Sequence, residues 1–308
     1  MTRHLCSLGL TFLISATAAL AQAPAPASGP DAALLAQSEQ LQKDGKLDDA
    51  LDAARRAMSA APESSAAHLQ VGVLLDLTGK YTEARVHMTV ALAKAKTPDE
   101  GKSARRSMAV SYAFERNCKA AVPNESAVID QDVAAKDFEG AAGVANELAR
   151  ICLESDDIDT AATWYRTGYD TALKQADLAE PRRDLWNFRW EHAQARIAAR
   201  RGDAAGAASH AAAAKALAEK GSIPDQRPFV PYLDGYVAFY GGHYIQAVSD
   251  LGRANQNDPF ILALTAMALE KSGDAARARP YYERILTLTT HNPANAFARP
   301  LAREKLAR

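Results

Sequence analysis

Asp44-Gly45-Lys46-Leu47-Asp48-Asp49-Ala50 and, 34 residues further on, Thr78-Gly79-Lys80-Tyr81-Thr82-Glu83-Ala84 are two versions of one phrase. Each lies between two segments whose apolar residues recur at helical spacing. A Gly at this place ends the first helix in the left-handed conformation, which side-chain-bearing residues adopt at a cost. The Ala five residues later is small enough for the second helix to lie close against the first. Ala57 and Ala91 keep the same 34-residue spacing, and Pro62 and Pro98 close the two units, because a helix does not run back through a proline. The phrase returns as Asp157-Ile158-Asp159-Thr160-Ala161, Gly202-Asp203-Ala204-Ala205-Gly206-Ala207, Gly242-His243-Tyr244-Ile245-Gln246-Ala247 and Gly273-Asp274-Ala275-Ala276-Arg277-Ala278. Gly72 and Gly235 stand at a common place in two of the preceding helices.

Composition agrees with a helical chain. Alanine, the best helix former, supplies 67 of the 308 residues. At 48% apolar residues the chain is too hydrophobic to stay disordered, and a net charge of -1 gives no electrostatic case for a nucleic-acid partner. Three Cys are too few for a disulfide scaffold.

The 34-residue helix–turn–helix unit resembles the tetratricopeptide repeat family. The resemblance runs from about residue 31 to 293 and implies an all-α, right-handed superhelical solenoid. Seven units are expected, at about 31–64, 65–98, 99–135, 136–177, 180–222, 226–259 and 260–293, with a polar-faced capping helix over 294–308. Seven regular units leave a surplus of about 25 residues, which falls between units three and six. Some positions depart from the family pattern. Leu34 and His68 replace the early Trp, and Pro123 lies where the second helix of unit three belongs. That helix is expected to start late, near Pro123 or Asn124. The resemblance further implies a non-enzymatic scaffold that binds an extended protein or peptide segment in its concave groove, with no cofactor. The alternatives are a structural subunit of an envelope assembly, such as outer-membrane biogenesis or polysaccharide export, and, much less favoured, an enzyme.

Residues 1–21 read as a cleaved signal peptide. Arg3 and His4 precede the apolar run Leu8 to Leu20, and Ala19-Leu20-Ala21 has the small-x-small form of a cleavage site. The run is short for a membrane span, and no later stretch approaches that length. Residues 22–30, with alternating Pro, read as an extended linker before the repeat domain at 31–308. The expectation is a periplasmic or secreted protein that does not span a membrane after cleavage.

Candidate binding residues lie in two helices. Trp186, Trp190, Ala193 and Ile197 form one apolar stripe, and Arg189, His192, Arg196 and Arg200 form a second about a quarter turn away. The second is either a solvated basic face beside a core stripe or a concave surface for an acidic segment or a carboxylate. Arg106 and Arg150 would extend such a surface. Tyr232, Tyr236, Phe239 and Tyr240 share one side of the next first helix, either as core or as a groove for apolar side chains or a glycan. A peptide-carboxylate clamp is not supported, because the first helix offers Leu35, Glu39 and Gln42 in place of Lys and Asn. Cys118 and Cys152 are either bridged across adjacent hairpins or buried as free thiols. No CxxC or HExxH suggests a metal, and no GxSxG suggests a nucleophile. Gly101-Lys102-Ser103 imitates a phosphate loop but has Lys96 where the earlier Gly belongs. Asp48, Asp49 and Asp52, like Asp156, Asp157 and Asp159, begin second helices, where acids answer the helix dipole.

Overall fold

A computed structural model describes Gly29 and residues 31–307. Residues 1–21, the rest of the linker and Arg308 lie outside the described residues, and with them the expected signal peptide. The described chain forms fifteen α-helices and no strand. They pair into seven hairpins: α1 (Ala32–Lys43) with α2 (Leu47–Ala60), α3 (Ser65–Thr78) with α4 (Tyr81–Ala93), and α5 (Pro98–Phe114) with α6 (Cys118–Ala134). Then follow α7 (Phe138–Glu154) with α8 (Ile158–Ala172), α9 (Glu180–Arg201) with α10 (Ala204–Glu219), α11 (Val230–Tyr240) with α12 (Tyr244–Leu251), and α13 (Pro259–Lys271) with α14 (Ala275–Thr287). A 3₁₀ turn at Pro224–Phe229 leads into α11, and α15 (Pro293–Leu306) ends the chain.

The hairpin turns follow one hydrogen-bond scheme. In the first, Lys46 N–H donates to the Leu41 carbonyl and Gly45 N–H to the Gln42 carbonyl, with Gly45 left-handed at φ 79°. Gly79, Gly202, Gly242 and Gly273 repeat it. Arg116, Lys136 and Asp156 adopt the same left-handed turn with a side chain attached. The next helix is then started by a side-chain cap: Asn117, Asp137, Asp157, Asp203 and Asp274 each accept a backbone N–H three residues on. Asp157 and Asp159 thus serve a helix start. Close approach within a hairpin is visible at Gly72, where a Cβ would stand 3.0 Å from the Ala84 carbonyl and 2.9 Å from Met88.

The expected late start of the second helix in unit three is corrected. The helix begins at Cys118, capped by Asn117, and Pro123 is its sixth residue. Pro123 removes one N–H from the ladder, and the rest of the helix continues to Ala134. Part of the surplus lengthens helices, and part forms the connections at 173–179 and 220–229. α5, α6 and α7 have 17 residues each and α9 has 22, against 12 to 14 in the first two hairpins.

First helices lie beside first helices, and α15 packs across them. It touches α13 and α14, as a cap would, but also α5 and α7. Its first half is buried all round, including Ala294, Phe297, Ala298 and Arg299. It is therefore not simply a polar-faced end cap. Arg299 Nε donates to the Leu77 carbonyl at 2.8 Å and Nη1 to the carbonyls of Leu286 and Leu288. Arg303 reaches the Leu77 carbonyl as well. His291 Nε2 lies 2.8 Å from Asp76 Oδ2, and Thr289 and Gln42 exchange two hydrogen bonds. The end of the chain thereby closes onto its first two hairpins. Burial and the neighbouring Arg303 lower the Arg299 pKa to about 10.

Candidate functional site

The two stripes of α9 and α11 do come together, but in the interior. The apolar stripe is core: Trp186, Ala193 and Ile197 are buried, and Trp190 partly so. The polar stripe is neither a solvated face nor an open groove. His192, Arg196, Tyr232 and Tyr236 are buried, and the Arg200 side chain is 6% exposed. Glu154 from α7 and Tyr165 from α8 complete the seam. Arg196 Nη2 donates to the Tyr165 hydroxyl at 2.8 Å, and its guanidinium lies 5.3 Å from that ring centroid. Arg200 donates to Glu154 and to the Tyr236 hydroxyl, pairs with Asp156, and lies over the Tyr240 ring. The Tyr236 hydroxyl donates to Glu154 Oε1 at 3.2 Å. Phe239 is half-buried against Tyr240 and Tyr244. Arg189 covers the Trp186 ring at 4.6 Å. Arg150 lies over Phe260 of α13. A groove along Arg196, His192, Tyr232 and Tyr236 is thus corrected, because helices of the chain itself cover it.

Burial dictates the seam's charge states. His192 is stacked between Phe188 and Tyr232, and its Nε2 has no hydrogen-bond partner. Burial, with Arg196 and Arg150 nearby, holds its pKa well below the ordinary value, so the ring is neutral. Burial raises the Glu154 carboxyl, and the three surrounding arginines oppose that rise.

Open space lies instead along α5. One cleft of about 270 Å³ is lined by Ser103, Arg106, Ser107, Val110, Glu147 and the α14–α15 connection. Another of about 320 Å³ lies between α5, α6 and α7 and is lined by residues that include Lys102, Val128, Asp132 and Val144. Ser103 and Arg106 belong to both. Arg106 Nη2 donates to Glu147 Oε2 at 2.5 Å, and Lys102 pairs with Asp132. Behind them Glu125 is fully buried, its carboxyl beside that of Glu147. Burial and the charge of Glu147 push its carboxyl well above the usual range. The clefts offer hydroxyls, paired charges and a valine floor, a mixture suited to peptide backbone and side chains. Among the described residues no group of three or more His, Cys, Asp or Glu converges on a metal position.

Sequence reasoning named Arg106 as an extension of the stripe, took Ser103 only as part of a failed phosphate-loop match, and missed Glu147 and Glu125. A signal for Glu125 exists. Ala121, Glu125, Val128 and Asp132 follow i, i+4, i+7, i+11, which sets two acids in an apolar stripe. Cys118 and Cys152 are bonded to each other, joining the start of α6 to α7.

Residues 35–100 match the tetratricopeptide repeat family model. No curated protein matches the chain. Among solved structures, a tetratricopeptide repeat protein from Parabacteroides merdae ATCC 43184 is similar at 13% identity, over 90% of this chain and 97% of that one, with a TM-score of 0.51. The Cut9 and Hcn1 hetero-tetramer of the APC/C is similar at 16% identity over 88% of this chain and 48% of that one, with a TM-score of 0.45. The first of these likenesses is one of fold: a helical solenoid of tetratricopeptide type.

Proposed function

We propose that the chain is a non-enzymatic scaffold that binds an extended segment of a partner protein along α5 and α7, in the periplasm or outside the cell. The observation that carries this reading is the pair of clefts joined at Ser103 and Arg106, one beside the start of α15 and one between α5, α6 and α7. The bonded cysteines support an oxidising compartment, where disulfides persist, and so does the signal-like composition of residues 1–21. Arg106 is the residue on which a segment crossing from one cleft to the other would depend. Its guanidinium is half exposed and has Glu147 as its acceptor.

The test is crosslinking in the native envelope with tagged protein, followed by mass spectrometry, for the wild type, Arg106→Glu and Ser103→Trp. A soluble partner captured by the wild type and lost from both variants, at unchanged thermal stability, supports the cleft. Equal capture by all three proteins refutes it. A membrane assembly retained by all three favours a structural subunit instead, docked through exposed apolar side chains such as Ile245, which is 81% exposed, and Phe229.

A further inference from the structure

His68 of α3 and His87 of α4 are 19 residues apart in sequence, and the second hairpin brings them face to face. Their Nδ1 atoms lie 3.4 Å apart and their ring centroids 5.7 Å apart. The tautomers follow from the partners. His68 Nε2 lies 3.1 Å from the Pro62 carbonyl, which only accepts, so Nε2 carries the proton and Nδ1 carries the lone pair. His87 Nδ1 then donates to His68 Nδ1. We propose that these two imidazoles form a binding site for a divalent late transition metal such as Zn²⁺, held by His68 Nδ1 and His87 Nδ1.

Two observations converge on this. The first is distance. Two nitrogens at about 2.0–2.1 Å from a tetrahedral zinc stand about 3.3–3.4 Å from each other, which is the separation the hairpin already holds. The second is orientation. A metal-bound imidazole commonly donates its other ring N–H to a carbonyl, and the Pro62 carbonyl does this for His68 before any metal arrives. Glu83 and Glu63 lie nearby and favour a cation, whereas Arg55 and Lys94 oppose one. Binding moves the His87 proton from Nδ1 to Nε2, and small rotations of both rings bring the lone pairs to a common point. Both rings are half-buried, so water or a partner's side chain completes the coordination. The remaining described histidines are placed otherwise: His210 is held by Glu191, His291 by Asp76, His192 is buried, and His243 stands before α12.

The experiment is calorimetric titration of tag-free protein with ZnCl₂ at pH 7.5. One Zn²⁺ per chain is expected. His68→Gln and His87→Gln should each weaken binding at least about tenfold, since loss of even a supporting hydrogen bond costs that much, and His210→Gln should leave it unchanged. In parallel, ¹⁵N spectra of imidazole-labelled wild type should shift at Nδ1 of two histidines on adding Zn²⁺, a readout that needs no variant. Undiminished binding in both site variants, or absence of saturable binding together with unmoved Nδ1 signals, overturns the proposal.

Discussion

Gly45 and Gly79, in the first two hairpins, and Arg116, Lys136 and Asp156, in and between the third and fourth, occupy the same place in the same turn. All five have positive φ, from 54° to 90°, and all five turns share the hydrogen-bond pattern described above. At the ends of the chain glycine makes the conformation free of steric cost. In the middle each side chain adds roughly 1 kcal/mol or more of backbone strain. At Arg116 and Asp156 the middle receives contact between units in return. Arg116 donates to the Glu154 carbonyl and lies over the Phe297 ring, and Asp156 pairs with Arg200. The adjoining helices are longer there, and the Cys118–Cys152 bond ties α6 to α7. The repeat thus has two regimes, turn-led at the ends and contact-led in the middle.

The largest test of that contrast is the crosslink. Replacing both Cys118 and Cys152 by Ser should lower unfolding free energy by about 3–4 kcal/mol, because the bond closes a loop spanning 34 residues. Urea denaturation with and without reductant measures it. A loss below about 1 kcal/mol would mean that the middle helices stand without their tie, and the contrast would collapse.

Acid gives the next largest effect, and it too acts in the middle. The depressed pKa of buried His192 means that the folded chain resists a proton which the unfolded chain accepts below about pH 6.5. Stability contributed by the neutral ring is therefore complete above that pH and is lost as pH falls. The loss should approach about 1 kcal/mol by pH 5.5. His192→Phe should flatten this part of the stability curve, as melting between pH 7.5 and 5.5 would reveal. An unchanged slope would assign the acid sensitivity to other groups.

The turns themselves give the smallest effects, of opposite sign. No atom lies within 4 Å of where a Gly45 Cβ would be, so Gly45→Ala should cost only the left-handed conformation, about 1 kcal/mol. Lys136 is exposed, and Lys136→Gly should stabilise the chain by a few tenths up to about 1 kcal/mol. Equal signs in thermal melts of the two variants would show that these turns are not equivalent after all.

This contrast also explains what the sequence makes legible. Where a turn requires glycine the repeat is readable, as at Gly45, Gly79, Gly202, Gly242 and Gly273. Arg116 and Lys136 give no such sign, and Pro123 nearby suggests a break that Asn117 and the early helix start make unnecessary. The stripes of α9 and α11 are legible as periodicities. Their surroundings are not, because burial of Arg196 depends on Tyr165, 31 residues away, and burial of Tyr236 on Glu154, 82 residues away. The clefts of α5 are harder still, since one is bounded by His291, Asn292 and Pro293, far along the chain.

The closure of α15 onto α3 has a consequence for how the molecule comes apart. An open stack of repeats touches only its neighbours, so its ends fray one unit at a time. Here Thr289 is hydrogen-bonded to Gln42 across 247 residues, and Arg299 to Leu77 across 222. Peeling away the last helix exposes the second hairpin, and peeling away the second hairpin strips acceptors from the last helix. The two ends are therefore expected to melt together, with the cooperativity of a closed loop in a chain built as a line.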